Sequence, residues 1–333
     1  MAEESPLRVA QQRFLDAVPL RTTRAQPLRL SEANGFTLYE SVVAPTDMPP
    51  YPRAIVEGFL VRTADTAGAS EASPKTFKIT AIVRPGDRNC PKLGSSEAVE
   101  ISTGSIVHEG PFSIVRMWEA QRSADTFVIT RPFPPGFFIE QQGCDIRHGS
   151  EVLGSGARLG PWELGILASM GIDEVRVAQP PAVALFACGV EVIPHTDTLY
   201  PGAIRDSNSV MLAAAVTDAG GVHRFGGIMR DDFEVFLERL HHALTESDMV
   251  LISGGTAAAG RDFVSDLIRE VGDLIVDGVP MKSGRPLIMG ISGGKPIVAV
   301  AGHPPEALRG FRLFGAPAIY RLLGRNVPLP EEG

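Results

Sequence analysis

DMVLISGGTAAAGRDFV, running from Asp248 to Val264, is the stretch whose reading decides the fold. Met249 to Ile252 is an apolar run of strand length with β-branched content, and it stops at Gly254 and Gly255. A helix is expected to start near Asp262. Glycines where a strand meets a helix let the backbone take positive φ and approach a ligand closely, while the helix N-terminus offers unpaired N–H groups to an anion. The same glycines also suit a plain strand-to-helix turn with no ligand, because Gly punctuates turns everywhere. Other stretches have to choose between the two.

From Pro181 onward the pattern alternates: AVALFA, SNSVMLAAAVTDAG, a strand to Met229, FEVFLERLHHAL, MVLIS, FVSDLIREV, and IVAVAG followed by a helix ending near Gly324. Such alternation implies βαβ units and a mostly parallel, doubly wound sheet covered on both faces. Ligands of such sheets bind beyond the carboxyl ends of the strands. That rule collects Glu191 after the strand Ala182 to Ala187, Asp231 and Asp232 after Met229, Asp262 after Ile252, and His303 after Val298 to Val300. Carboxylates gathered at such an edge hold a divalent cation, which offsets their mutual repulsion. Each of them also suits a helix N-cap, Asp232 and Asp262 above all, and His303 receives no proton-transfer role.

Ahead of this region, Ser5 to Ala17 has helical apolar spacing ended by Pro19, and Leu28 to Ala44 reads as a second short helix, capped by Ser31 and Glu32 and interrupted near Gly35. Pro45, Pro49, Pro50 and Pro52 then force an extended loop. GFLVRTAD, FKITAIVRP, AVEISTGSIV, FSIVRMW and TFVITRPF follow as short β-like runs. After Gly143, Pro161 opens a helix whose Trp162, Leu164, Ile166 and Leu167 read as a core-facing stripe. The expected domains are a discontinuous helical linker (1–50 and 141–180), a β domain (51–140) and an α/β domain (181–326).

Composition narrows the function. At 333 residues and 44% hydrophobic content the chain is globular with room for two or three domains. A net charge of −8 argues against nucleic acid as the main partner while leaving small anions open. Cys90, Cys144 and Cys188 lack metal-site spacing and an even count, which reads as buried free thiols. The N-terminus has no apolar signal region and no apolar run spans a bilayer, so a reducing, cytoplasmic setting and no membrane contact are expected.

Along nearly its whole length the chain resembles the MoeA family, the molybdopterin molybdenumtransferases of gephyrin E-domain type. SEANGFTLYESVVAPTDMPPYPRAIVEGFLVRTAD is similar to the N-terminal signature, ISTGSIVHEGPFSIV to the TGA loop, and GCDIRHGSEVLGSGARLGPWELGILASMG to the GED helix start. ACGVEV resembles TGDEL, GAIRDSN resembles GQIxDSN, IMRDD a similar RDD, ISGGTAAAGRDFV the SGGVSVGxxDF loop, PMKSGRPL the xxKPGKP segment, and AVAGHPPEAL the GLPGNPVSA segment.

The resemblance implies binding of adenylylated molybdopterin and molybdate as substrates, Mg²⁺-dependent cleavage of the phosphoanhydride, and release of molybdenum cofactor and AMP. It also implies a homodimer and leaves room for contacts with other molybdenum cofactor proteins. Thr103, Asp145, Glu191, Asp231, Asp262 and Lys282 match functional positions of the family pocket. Glu191, Asp231, Asp262 and Lys282 become the expected catalytic set, with the first three on the metal. Thr103, Asp145, Ser253, Gly254, Gly255, Gly302 and Pro304 are the expected binding set.

Several positions depart from the family pattern. Glu57 stands for the Asp of MDGYA and Ala54 for its Ser; Val190 replaces the Asp of TGDEL, Phe112 an Asp after the TGA loop, Glu140 an Arg, and Cys144 the Glu of GED. Ala257, Ala258 and Ala259 replace SVG, Gly278 a Lys, and Ala301 and His303 residues of PGNP. After RLLGRNVPLPEEG the family's C-terminal β-barrel domain is expected to be absent. The retained carboxylates favour an enzyme inserting molybdenum, or tungsten, into molybdopterin. The replaced ones favour a non-catalytic paralogue that binds a pterin nucleotide or a partner.

Overall fold

The computed structural model describes residues 5–230, 232–255, 263–279, 286–326 and 328–329. The chain divides into two compact units, one made of 1–41 with 153–333 and the other of 42–152.

The first unit is built on a six-stranded sheet in the order Val222–Met229, Ala182–Cys188, Met249–Ser253, Lys295–Val300, Ile288–Ser292, Asp273–Asp277. The first four strands are parallel; helices Asn208–Asp218 and Phe233–Glu246 connect three of them, and Phe263–Val271 leads from Met249–Ser253 to Asp273–Asp277. The last two strands are antiparallel and were not foreseen in DLIVD and LIMGIS, whose runs are short and flank residues outside the description. Residues of the central strands alternate between two cores, as period 2 requires. Val183, Leu185, Met249, Leu251 and Val298 face one, and Ala184, Phe186, Val250, Ile252 and Ile297 the other.

The helix Pro6–Ala17 forms as expected, capped by Ser5, whose hydroxyl accepts the Arg8 N–H, and it buries Leu7, Phe14 and Leu15 in the first of those cores. Its Gln11 has a distant role. Pro317 lies inside a continuous helical stretch from Pro304 to Leu322 that passes through a π-type turn at Phe311–Gly315. Proline leaves the carbonyl four residues earlier without its donor. Gln11, 1% exposed, supplies one, donating from Nε2 to the Leu313 carbonyl at 3.1 Å.

The helix expected over 28–44 is not formed. Ala25–Arg29 is a strand paired antiparallel with Glu174–Ala178, Leu30–Glu32 is a single 3₁₀ turn, and Gly35 at φ +86° ends it. Backbone pairing to Val175 and Val177 outweighed the weak local helical pattern. The helix Pro161–Ser169 forms with Pro161 at its first turn, but its stripe is not core: only Leu167 is buried, and Trp162 is 76% exposed.

The unit 42–152 is a mixed six-stranded sheet in the order Phe112–Arg116, Gly58–Arg62, Glu97–Ile101, Lys75–Val83, Thr126–Ile129, Gln121–Ser123. All five β-like runs of the sequence lie in it. One face is held by the stack of Phe59 and Phe77 on Phe127, at centroid distances of 4.2 and 5.3 Å. The other is lined by Leu60, Val99, Ile101 and Ile114.

Candidate functional site

The carboxyl ends of the parallel strands enclose a cavity of about 300 Å³ whose walls include Cys188, Glu191, Arg205, Asp206, Asn208, Ser253, Gly302, His303 and Pro304. It sits where connections leave the sheet in opposite directions, between Ala182–Cys188 and Met249–Ser253, the place where open α/β sheets take ligands. Of the expected residues, Glu191, Ser253, Gly302 and Pro304 all line it.

Gly254 and Gly255 explain the motif that opened the reading. Both have positive φ, +86° and +72°, and a Cβ on Gly254 would lie 2.5 Å from the Cys188 carbonyl oxygen. On Gly255 it would lie 3.1 Å from the Cys188 Cβ. The loop therefore presses its bare backbone against the end of the neighbouring strand. The Gly254 N–H is used, donating to the Val300 carbonyl at 3.0 Å. Among the described residues no acceptor takes the Gly255 N–H.

Glu191 is exposed and lies beside Gly189, where a Cβ would come within 3.0 Å of both carboxylate oxygens. Its own carbonyl accepts the Ile204 N–H at 2.8 Å, which ties the segment Val192–Ile193 to Ile204–Arg205. Arg205 donates from Nε and Nη2 to the Asp197 carbonyl at 3.2 and 3.1 Å. Asp206 is 6% exposed and its Oδ1 accepts the Ser209 N–H at 2.9 Å, closing the start of helix Asn208–Asp218. Asn208, Asp206 and Arg205 were missed as site residues, although GAIRDSN stood out as a motif and follows the same strand end as Glu191.

Two other strand-end candidates cap helices, and of these His303 also lines the cavity. Asp232 is the N-cap of Phe233–Glu246, accepting the Val235 N–H at 3.2 Å, and His303 is the N-cap of the short helix Pro304–Gly310. Asp231, Asp262 and Lys282 lie outside the described residues. Among the described residues no cluster of three metal-ligating side chains occurs.

Thr103 and Asp145 belong to the 42–152 unit. Thr103 is exposed in a turn that Gly104, at φ +84°, allows, and the turn is pinned by Gly104 N–H to Ala54 carbonyl and Ala54 N–H to Ser105 carbonyl at 2.8 and 3.0 Å. Asp145 is exposed, with its N–H on the Met48 carbonyl at 3.0 Å. Nearby, Arg53 pairs with Glu140 at 2.6 Å, a hydrogen bond that raises the guanidinium pKa. Cys144 is exposed, correcting the expectation of three buried thiols; Cys90 and Cys188 are buried. Partial burial, then the charges of Asp145 and Glu140, push the Cys144 thiol up. No helix among the described residues is long and apolar enough to cross a membrane.

Residues 5–171 match the MoeA N-terminal region (domain I and II), and residues 191–321 match a probable molybdopterin binding domain. The chain is 28% identical to the molybdopterin molybdenumtransferase of Staphylococcus epidermidis over 305 residues, covering 91% of this chain and 73% of that one. With the enzyme of the same name from Staphylococcus aureus it is 28% identical over 330 residues, covering 98% and 78%. Among solved structures, a molybdopterin biosynthesis MoeA protein from Pyrococcus horikoshii superposes with a TM-score of 0.75 at 33% identity, covering 97% of this chain and 81% of that one.

Proposed function

Since this chain belongs to the MoeA family and acts in molybdenum cofactor biosynthesis as a transferase, we propose that its strand-end cavity takes the nucleotide of adenylylated molybdopterin and releases AMP as molybdenum is delivered. The observation that carries this is the cavity at the strand ends, whose walls bring Glu191, Ser253 and the Gly302–Pro304 segment together beside the Gly254–Gly255 turn, where no Cβ fits. Arg205 adds a cation to the same cavity.

Glu191 and Asp206 give the cavity carboxylate oxygens, a hard donor set that suits Mg²⁺, which keeps several waters and binds through one or two carboxylates together with phosphate. Asp231 and Asp262 complete the proposed metal set and Lys282 the proposed charge neutralisation. Mg²⁺ held there would neutralise charge on the phosphoanhydride as its bond breaks. Thr103 and Asp145 are assigned to binding in the same proposal, as are the functional domains 1–50 with 141–180, 51–140 and 181–326.

Relatives named as transferases match over nine tenths of the chain, so the reading as a non-catalytic paralogue is not favoured. A cytoplasmic setting is part of the proposal, and so is a homodimer, supported by Trp162, 76% exposed on the helix Pro161–Ser169. Light scattering at micromolar concentration checks it, and a monomer would refute the dimer.

The test of function is AMP release from adenylylated molybdopterin with molybdate and Mg²⁺. The wild type is expected to turn over, and Glu191→Gln to lose about 100-fold in rate with its melting temperature unchanged. A wild type that neither releases AMP nor binds the pterin nucleotide would overturn the proposal.

A further inference from the structure

The cavity wall includes Ser253 at the end of Met249–Ser253 and Gly302–Pro304 after Lys295–Val300, and the two loops that leave these strands run in contact: a Cβ on Gly302 would lie 3.6 Å from the Gly254 Cα. Loops lined by glycine have no side chains of their own to fix their spacing. One side chain does it here. Asn208, at the start of its helix, donates from Nδ2 to the Ser253 Oγ at 2.7 Å and to the Gly302 carbonyl at 2.7 Å. A carbonyl only accepts, so chemistry alone fixes which end of the amide faces Gly302. Ser253 Oγ in turn donates to the Ala301 carbonyl at 3.4 Å. Asn208 is 8% and Ser253 2% exposed, so water cannot replace these bonds.

The arrangement has a cost that the fold does not need. Asn208 Oδ1 is buried and, among the described residues, has no donor. A smaller or apolar residue at a helix start would avoid that loss. What only the amide offers is two parallel donors reaching two loops at once.

We propose that Asn208 is a positioning residue, which sets the spacing between the Gly254–Gly255 cradle and the Gly302–Pro304 wall and so fixes the geometry in which the site receives its phosphate. The inference rests on the reading of this cavity as the nucleotide site. It assigns Asn208 no contact with substrate.

The experiment compares wild type, Asn208→Ala, Asn208→Asp and Ser253→Ala. An ionised Asp has no donor, whereas a protonated one has a single O–H. Both Asn208 variants are expected to lose about 100-fold in AMP release at pH 7, the scale on which small misplacements act, with a much smaller rise in KM. A loss shared by Asn208→Asp, which keeps the size of the side chain, assigns the effect to the lost donors rather than to the space they fill. Ser253→Ala, which leaves the bond to Gly302, should fall between them and wild type.

Hydrogen exchange reads the positioning directly and without substrate. The Gly254 amide, bonded to Val300, should exchange about tenfold faster in the Asn208 variants while core strand amides stay protected. Wild-type rates and exchange in both Asn208 variants, or rate losses with unchanged Gly254 exchange, would overturn the inference. A wild type that turns over nothing would instead remove the function proposed for the cavity, with the exchange comparison still deciding the role of Asn208.

Discussion

The glycine cradle of the α/β unit and the turns that carry Thr103 and Asp145 in the 42–152 unit are built on opposite principles. In the cradle the site is backbone, placed by strands whose side chains are wholly buried and tied by a buried amide. At Thr103 and Asp145 the proposed binding groups are side chains, displayed on turns whose backbone bonds do not involve them. A substitution in the first place is therefore an event in the fold. In the second it is expected to be an event in the chemistry alone.

The sharpest way to break this contrast is Gly254→Ala. The added Cβ meets the Cys188 carbonyl oxygen at 2.5 Å in a left-handed conformation, with backbone on both sides of the clash. Positive φ costs about 1–2 kcal/mol by itself, and with the clash the loss should reach about 3 kcal/mol. Urea denaturation measures it. A loss below about 1 kcal/mol would show that the cradle is as forgiving as an exposed turn.

How much was legible in the sequence follows the same division. The turn could be read because the apolar run before Gly254 fixes the strand and the glycines mark its end, while their use as a ligand cradle needed the other motifs beside them. The parallel strands Ala182–Cys188, Met249–Ser253 and Lys295–Val300 were legible for the same reason, each carrying an apolar run, whereas Val222–Met229, reading VHRFGGIM, was placed by its position between two helices. Leu28 to Ala44 misled because Ser31 and Glu32 imitate a helix start while the pairing partner, Glu174–Ala178, lies far along the chain. The Trp162 stripe misled because apolar spacing says that a face is covered without saying by what. Asn208 escaped because its value comes from two acceptors, on Ser253 and Gly302, that only the folded sheet brings together.

A second prediction marks the limit of the contrast, since the 42–152 unit also holds a side chain on which its fold depends. Glu119 sits between Arg116, at 2.8 Å, and Arg131, and is 15% exposed. The hydrogen bond from Arg116 is the main cause, with Arg131 assisting, that its pKa falls from 4.5 to about 2. A depressed carboxyl contributes stability that is present above its unfolded value and is lost as pH falls through the folded one. Allowing for the solvent exposure of both arginines, Glu119→Gln should cost about 2 kcal/mol at pH 7. Chemical denaturation across pH should show the gap to wild type closing between pH 4.5 and about 2. A gap independent of pH would assign the loss to packing.

Asp232 offers a smaller effect at the strand ends themselves. As the N-cap of Phe233–Glu246 it should cost about 1 kcal/mol when replaced by Ala, while Mg²⁺-dependent nucleotide binding measured by calorimetry stays as in wild type. Weakened binding would place it among the metal's carboxylates and enlarge the site.

The smallest effect on the fold is expected at the exposed turns. Thr103→Ala and Asp145→Asn remove side chains whose loops are held by backbone bonds to Ala54 and Met48, so each should change stability by less than about 0.5 kcal/mol. Their effect should appear in chemistry. For Asp145 there is a local readout that needs no substrate: its charge is among the causes that hold the Cys144 thiol up, behind partial burial, and Cys144 Sγ lies 3.8 Å from its Oδ1. Asp145→Asn removes that charge, so a larger fraction of the thiol ionises at a given pH and Cys144 should alkylate faster, with its pH–rate curve moved to lower pH. Thr103→Ala should leave the curve in place. If Asp145→Asn instead destabilised the unit and left alkylation unchanged, the carboxylate would be a structural group, and the contrast between a site made of backbone and a site made of side chains would fail at the residue where it is simplest to observe.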